Sequence, residues 1–320
     1  MLLLPPSRRL AVLVPLVLLA LPACGSDAPS PAPSSAAAGP VELTSDTGTL
    51  ELDAVPERIV TTSDETTELV VALGLQPVGV GSTRVSPNAD GELEGYYIEP
   101  ERLGDPEFVG GETVSVEAVA ALEPDLVVHG ADDEAVGELS AVAPTAVFDV
   151  EAPGAWQDAV TALGAATGRA EQAQDILDGY RDLLDTTERD LAPVAARYPR
   201  VAVIYPEYRG GADNYLFSEE FALASAVPEL GFTLGGSSAA EEAFPGVQAI
   251  STELYSTIEA DLLLALGTVP WQETSSAAVL DGLAAPVVGV PLDAGQPSAG
   301  PLTSPELVTT YRDALAPLAG

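Results

Sequence analysis

The chain states one pattern twice, 136 positions apart, and this duplication constrains its fold more than any other feature. Ser115-Val-Glu117-Ala-Val-Ala-Ala-Leu-Glu123-Pro-Asp125-Leu126-Val-Val returns as Ser251-Thr-Glu253-Leu-Tyr-Ser-Thr-Ile-Glu259-Ala-Asp261-Leu262-Leu-Leu, with Ser, Glu, Glu, Asp and Leu at matching offsets. Each copy reads as a short Ser-capped helix, a turn and an apolar buried strand. Such a unit, repeated at that distance, predicts two α/β lobes built on one plan. Paired lobes leave a crevice between them, so the duplication points to a binding cleft.

Two segments precede the repeated body. Arg8 and Arg9 form a charged n-region, Leu10 to Leu21 an apolar core too short to span a membrane comfortably, and Leu21-Pro22-Ala23-Cys24-Gly25 has the form of a lipobox. Residues 1–23 are therefore expected to be a lipoprotein signal peptide; Ser7-Arg8-Arg9-Leu10 leaves both the general secretory and the twin-arginine export routes open. Cys24 is the only cysteine, so its lipidation leaves no thiol for a disulfide, a redox centre or a thiolate metal site. Residues 24–40 are rich in Pro, Ser and Ala and hold almost no large apolar group, which predicts a disordered tether. The expected product is an extracytoplasmic lipoprotein held to the bacterial cell membrane through lipid at Cys24.

The charge balance excludes one class of partner. The chain has 12 arginines and no lysine against 49 acids, a formal net charge of -37. Loss of Arg8 and Arg9 with the signal peptide would leave 10 against 49, or -39. Such a surface repels nucleic acid and acidic lipid headgroups, and an anionic ligand would have to be held by a few local arginines.

Strand and helix alternate along the body at the spacing of a parallel sheet with crossover helices. Val41 to Leu52 reads as a hairpin around Asp46-Thr47-Gly48, and Pro56-Glu-Arg-Ile-Val-Thr-Thr62 as a buried strand followed by a helix, Glu65 to Leu73, capped by Ser63 or Asp64 and ended by Gly74. Further strands are expected at Pro77 to Val80, Leu126 to His129 and Thr145 to Phe148. The middle differs: Trp156 to Thr167 is one helix, and Arg169 to about Ala196 a longer one of roughly 40 Å, with Ile176, Leu177, Tyr180, Leu183, Leu184, Leu191 and Val194 mostly on one face. The expected organisation is an N-terminal α/β lobe over 41–155, a helical region over 156–198 containing a stiff inter-lobe spine, and a C-terminal α/β lobe over 199–320, closed by a helix from Pro305 to Leu318.

Pro56-Glu-Arg58-Ile-Val, Glu68-Leu-Val-Val-Ala-Leu-Gly74-Leu-Gln-Pro77-Val-Gly-Val, the Glu117 to Val128 segment, the lipobox and the spine together resemble the iron-siderophore substrate-binding lipoproteins of ABC importers. The resemblance covers about residues 41–318 and is specific to the family rather than to a ligand. It implies two Rossmann-like α/β lobes joined by a long rigid backbone helix, the class III periplasmic binding protein architecture. It also implies capture of an iron(III)-siderophore complex and its delivery to an ABC transporter permease dimer, with haem or cobalamin as the alternative cargo. In that family an acidic residue on each lobe docks onto arginines of the permease, and the matching positions are Glu117 and Glu253. Each also suits the first turn of a helix for electrostatic reasons alone.

The cleft should be lined by loops leaving the carboxyl ends of the strands. In the first lobe these carry Thr62, Ser63, Thr83, Arg84, Tyr96, Tyr97 and His129, and in the second Tyr205, Glu207, Tyr208, Arg209, Tyr215, Phe217, Trp271 and Gln272. A bulky, often anionic chelate calls for guanidinium donors and aromatic walls, which makes Arg84 and Arg209 the candidate anion contacts, one from each lobe. Both also suit pairing with neighbouring carboxylates on so acidic a protein. The Tyr96-Tyr97 pair lies in a Gly-flanked loop without evident apolar partners. His129, the only histidine, suits a hydrogen-bonded core position as well as a ligand contact. One histidine and no free thiol cannot build a naked zinc or manganese site, so iron is expected to arrive already chelated, and no resident metal or cofactor is expected. Gly79-Val-Gly-Ser82 is not a nucleophile elbow, and no P-loop or dinucleotide fingerprint follows a first strand, so the sequence reads as a binding protein and not an enzyme.

Overall fold

The computed structural model describes residues 39–84, 86–89, 93, 96–131, 133–150, 152–208, 213–292 and 299–320. The lipobox with Cys24, the signal peptide, most of the tether and Arg209 lie outside the described residues.

The hairpin expected around Asp46-Thr47-Gly48 forms from β1 (Val41–Ser45) and β2 (Gly48–Leu52), antiparallel, with Ser45 opposite Gly48. The first lobe follows: β3 (Ile59–Thr61), α1 (Asp64–Ala72), β4 (Gly79–Gly81), α2 (Pro100–Leu103), β5 (Glu107–Gly110), α3 (Val116–Ala121), β6 (Leu126–His129), α4 (Ala135–Ser140) and β7 (Thr145–Val147). Its five strands are all parallel, in the order β5-β4-β3-β6-β7. Chain direction across the sheet reverses between β3 and β6, the switch point where Rossmann-type sheets open a crevice at their carboxyl edge. Buried on both faces, β3, β6 and β7 read as short apolar runs without alternation. Ser63 starts α1 through a reciprocal capping box with Thr66.

Helix α5 (Ala155–Ala166) leads into α6 (Ala170–Arg197), whose 28 residues span about 42 Å. Its apolar face is divided between the lobes. Ala173, Ile176 and Leu177 pack with α5 and the first sheet, whereas Leu184, Leu191 and Val194 pack with the second. Tyr180 touches both groups, and its ring stands edge-on to Trp156 at 5.1 Å.

The second lobe comprises β8 (Arg200–Tyr205), β9 (Tyr215–Phe217), α7 (Ala222–Ser225), β10 (Thr233–Leu234), β11 (Glu241–Phe244), β12 (Val247–Ala249), β13 (Leu262–Gly267), α8 (Ala277–Asp281), β14 (Val287–Pro291) and α9 (Thr303–Leu315). Here the expected repetition of the first lobe is incomplete. The order is β11-β12-β9-β8-β13-β14, with β10 beside the start of β8, and β9, β11 and β12 pair antiparallel. Two residues join β11 to β12, far too few for a parallel crossover, and Gly246 turns the chain at φ +74°. The second copy of the repeat also departs from its expected form. Residues Thr252–Thr257 make a 3₁₀ turn, and the Ser251 side chain caps nothing, whereas Ser115 accepts the Ala118 N–H at the head of α3. Val-Glu-Ala-Val-Ala-Ala favours an α-helix; Thr-Glu-Leu-Tyr-Ser-Thr, with two threonines and an aromatic, does not.

One buried contact ties the first lobe to the closing helix. The carboxylate of Glu68, on the inner face of α1, accepts the N–H groups of Leu302 (3.0 Å) and Thr303 (3.2 Å) and the Thr303 hydroxyl (3.2 Å) at the start of α9. Burial pushes the Glu68 carboxyl up to about 8, against the opposing pull of these donors. Gly300 lies so close that a Cβ there would overlap Glu68 Oε2.

Candidate functional site

At the switch point the loops leaving β3 and β6 are in close contact: a Cβ at Gly130 would lie 2.8 Å from Ser63 Oγ. A side chain at Gly130 would displace the Ser63 hydroxyl that caps α1. Above the two loops opens a cavity of about 780 Å³ whose floor is Thr62, Ser63, Thr83, His129 and Gly130. Its walls come from the loop after β5, the start of α4 and Phe148 to Val150. This is the size and place of a small-molecule site in an open α/β sheet.

His129 ends β6 and is 5% exposed. Its Nδ1 lies 2.5 Å from Thr62 Oγ1 and its Nε2 3.1 Å from Asp133 Oδ1, so both ring nitrogens are engaged. Burial opposes ionisation of Asp133, yet the His129 ring and the Ala135 N–H hold its carboxyl below the usual range. The ring is thus a fixed polar element of the cavity floor, and the reading of His129 as hydrogen-bonded core describes its surroundings. Asp133 was not anticipated, although its spacing of four from His129 is visible in the sequence.

Arg84 takes the carboxylate-paired alternative. Its Nη1 reaches Asp64 Oδ2 at 3.0 Å and Glu65 Oε1 at 3.2 Å, both in the first turn of α1. Ser82 completes the arrangement by donating its hydroxyl to Asp64 Oδ1 at 2.7 Å. Thr83 lines the cavity. Tyr96 and Tyr97 do not lack apolar partners, as the sequence suggested. They pack on each other at 4.9 Å and against Val71, Val80, Ile98 and Leu103, and the Tyr97 hydroxyl donates to the Asp64 carbonyl. Three of those four partners belong to α1, β4 and α2, so no local pattern announced them.

In the second lobe Tyr205 ends β8, Tyr215 begins β9 directly opposite it, and Tyr208 stands edge-on to both, with centroid separations of 5.0 and 5.3 Å. This brings three sequence-predicted residues together at the carboxyl edge of the second sheet. Asn214 accepts the Glu207 N–H and the Tyr255 hydroxyl, and Glu207 adopts a left-handed conformation at φ +54°. Trp271 follows β13 at the same edge and lies over Gly289 of β14, where a Cβ would come within 3.3 Å of the ring. The aromatic trio and Trp271 are not among the described walls of the first-lobe cavity.

Glu117, in the first turn of α3, and Glu253, in the 3₁₀ turn, are both exposed. Helix α3 starts at the carboxyl end of β5. The 3₁₀ turn starts after β12, which two antiparallel pairings align with β8. Both glutamates therefore follow carboxyl ends of their lobe's strands.

Residues 59–284 match the model of the periplasmic binding protein family, and the chain belongs to that family. It is 29% identical over 208 residues to the ferric enterobactin-binding periplasmic protein FepB of Escherichia coli O6:H1, covering 62% of this chain and 63% of that one. It is likewise 29% identical over 185 residues to the probable siderophore-binding lipoprotein YfiY of Bacillus subtilis, covering 57% of this chain and 53% of that one. The match thus spans between half and two thirds of these curated relatives. Among solved structures, Staphylococcus aureus SirA complexed with staphyloferrin B superposes with a TM-score of 0.64 at 22% identity, over 86% of this chain and 98% of that one. The shared architecture is that of the class III periplasmic binding proteins, with a long helix between α/β lobes.

Proposed function

We propose that this protein captures a ferric siderophore in the crevice at the carboxyl edges of its two sheets and delivers it to the permease dimer of an ABC importer. The observation that carries the reading is the cavity of about 780 Å³ at the β3–β6 switch point, in a chain whose relatives are named for binding ferric enterobactin and other siderophores. Tyr208 and Tyr215 of the second lobe, partly exposed and packed on the buried Tyr205, supply an aromatic surface suited to the apolar exterior of a chelate. Glu117 and Glu253 are the proposed docking residues, exposed and placed at equivalent ends of the two lobes. Cys24 is the proposed lipid anchor, and no helix among the described residues is long and apolar enough to cross a membrane. Binding and hand-over, not catalysis, is the proposed activity.

Haem or cobalamin is the alternative cargo. It gains little from His129, whose two ring nitrogens are already bonded to Thr62 and Asp133. Titration of the purified chain with a ferric hydroxamate, a ferric catecholate, haem and cobalamin, followed by absorbance and tryptophan fluorescence, tests the proposal. Saturable binding of a ferric chelate is expected. Binding of haem or cobalamin alone would replace it with the alternative.

A further inference from the structure

We infer that the cargo is a ferric chelate of zero or positive net charge, an inference that rests on the capture function just proposed. Every fixed side-chain cation of this chain is an arginine. The chain has no lysine and 12 arginines, of which nine lie among the described residues. Arg58 precedes β3 and Arg200 begins β8, at the amino edges of the two sheets. There Arg58 donates to the carbonyls of Leu122 and Glu123, and Arg200 pairs with Glu259. Arg102, Arg169, Arg181, Arg189, Arg197 and Arg312 belong to α2, α6 and α9 or cap them. Arg8, Arg9 and Arg209 lie outside the described residues, and among the described arginines Arg84 is the one that directly follows the carboxyl end of a sheet strand, β4.

Arg84 is held between two carboxylates, so the cluster of Arg84, Asp64 and Glu65 carries a net negative charge. The cavity itself is richer in acid than the chain around it. Six of its nineteen described lining residues are acidic, namely Glu65, Glu112, Asp133, Glu134, Glu138 and Asp149, against 49 of 320 overall. None of the nineteen is an arginine. Arg84 pairs with Glu65 among these six but shares its charge with Asp64, so the lining stays acid-rich. A chelate with several negative charges would enter a field of its own sign, whereas a cation would be drawn in and concentrated. At the carboxyl edge of the second sheet the partly exposed rings of Tyr208 and Tyr215, packed edge to face, add aromatic groups that favour cations and tolerate neutral groups. Among iron carriers, trishydroxamates give neutral complexes that a pendant ammonium makes cationic, whereas triscatecholates and carboxylate chelators give anionic ones. The geometry therefore favours the first group.

The experiment holds the iron core constant and varies only charge. Ferrioxamine B with its free ammonium, its N-acetyl derivative and its N-succinyl derivative present one trishydroxamate core as cation, neutral complex and anion. Their affinities for the purified chain, read by tryptophan fluorescence, are expected to fall by at least about tenfold from the first to the third, and added salt should narrow the spread. A Glu112→Gln, Glu138→Gln double variant should narrow it further at low salt. Equal or tighter binding of the succinyl form, preference for a ferric triscatecholate, or a spread untouched by the double variant would overturn the charge inference and leave capture standing. Absence of binding to every ferric chelate would remove the capture function and the inference with it.

Discussion

Asp125 and Arg58 are fastened in both directions: the Asp125 carboxylate accepts the Arg58 N–H at 2.9 Å, and the Asp125 N–H donates to the Arg58 carbonyl at 3.0 Å. The second lobe repeats the arrangement between Asp261 and Arg200, at 3.0 and 2.7 Å. In each lobe the pair sits one step before the parallel ladder, Ile59 opposite Leu126 and Val201 opposite Leu262. The aspartate of the duplicated motif is thus a register pin that aligns the first strand of a lobe with its neighbour.

Asp125 also accepts the Glu57 N–H at 2.8 Å, so its side chain satisfies two backbone donors where Asp261 satisfies one. Asp125→Ala is expected to cost about 1–3 kcal/mol of stability and Asp261→Ala less, because water can reach part of each site. Urea unfolding of the two variants checks the ranking. Equal, negligible losses would show that the ladders hold their register without the pins.

Glu68 makes stability pH-dependent. Its carboxyl titrates near 8 when folded against an ordinary 4.5, so the folded chain holds this proton more tightly than the unfolded one. Its contribution is complete below pH 4.5 and is lost as the pH rises through 8. Glu68→Gln keeps an acceptor for the Leu302 and Thr303 N–H groups and removes the titration. Melting temperature measured from pH 5 to 9 should decline less steeply in the variant; parallel profiles would assign the decline elsewhere.

Gly300 and Glu68 should be energetically coupled. A methyl group at Gly300 displaces the Glu68 carboxylate from the start of α9, so Gly300→Ala is expected to cost about 1–3 kcal/mol by overpacking. In a Glu68→Ala background the same substitution should be nearly neutral, and a double-mutant cycle reads the difference.

Simultaneous replacement of Glu117 and Glu253 by Ala should abolish uptake of the cargo by cells while leaving its affinity for the purified protein unchanged. Each single variant should fall between. A matching loss of affinity would move these glutamates from docking to the cleft.

The sequence disclosed those parts of the molecule whose signals are local. Burial on both faces made β3, β6 and β8 continuous apolar runs, and α6 announced itself through the spacing from Ile176 to Val194. The 3₁₀ form of the second copy left a trace in Thr252, Tyr255, Ser256 and Thr257, all weaker helix formers, but the shared offsets concealed it. The antiparallel arm of the second lobe was harder, because β9 to β12 are two to four residues long and too short to show a period. What joins distant segments left no trace. Glu68 and Thr303 are 235 positions apart, and a carboxylate buried among Leu69, Val70 and Val71 signals only that some partner exists. Arg84 was found at the right edge of the sheet, but the claim of Asp64 and Glu65 upon it depends on how the loop after β4 turns back over α1.

Tyr180 and the divided face of α6 bear on how the molecule comes apart. Because one continuous helix supplies apolar side chains to both lobes, neither can melt without stripping cover from the other. Heating should therefore produce a single calorimetric transition instead of one for each half, and the gap between the lobes is spanned by a strut that is itself part of both interiors.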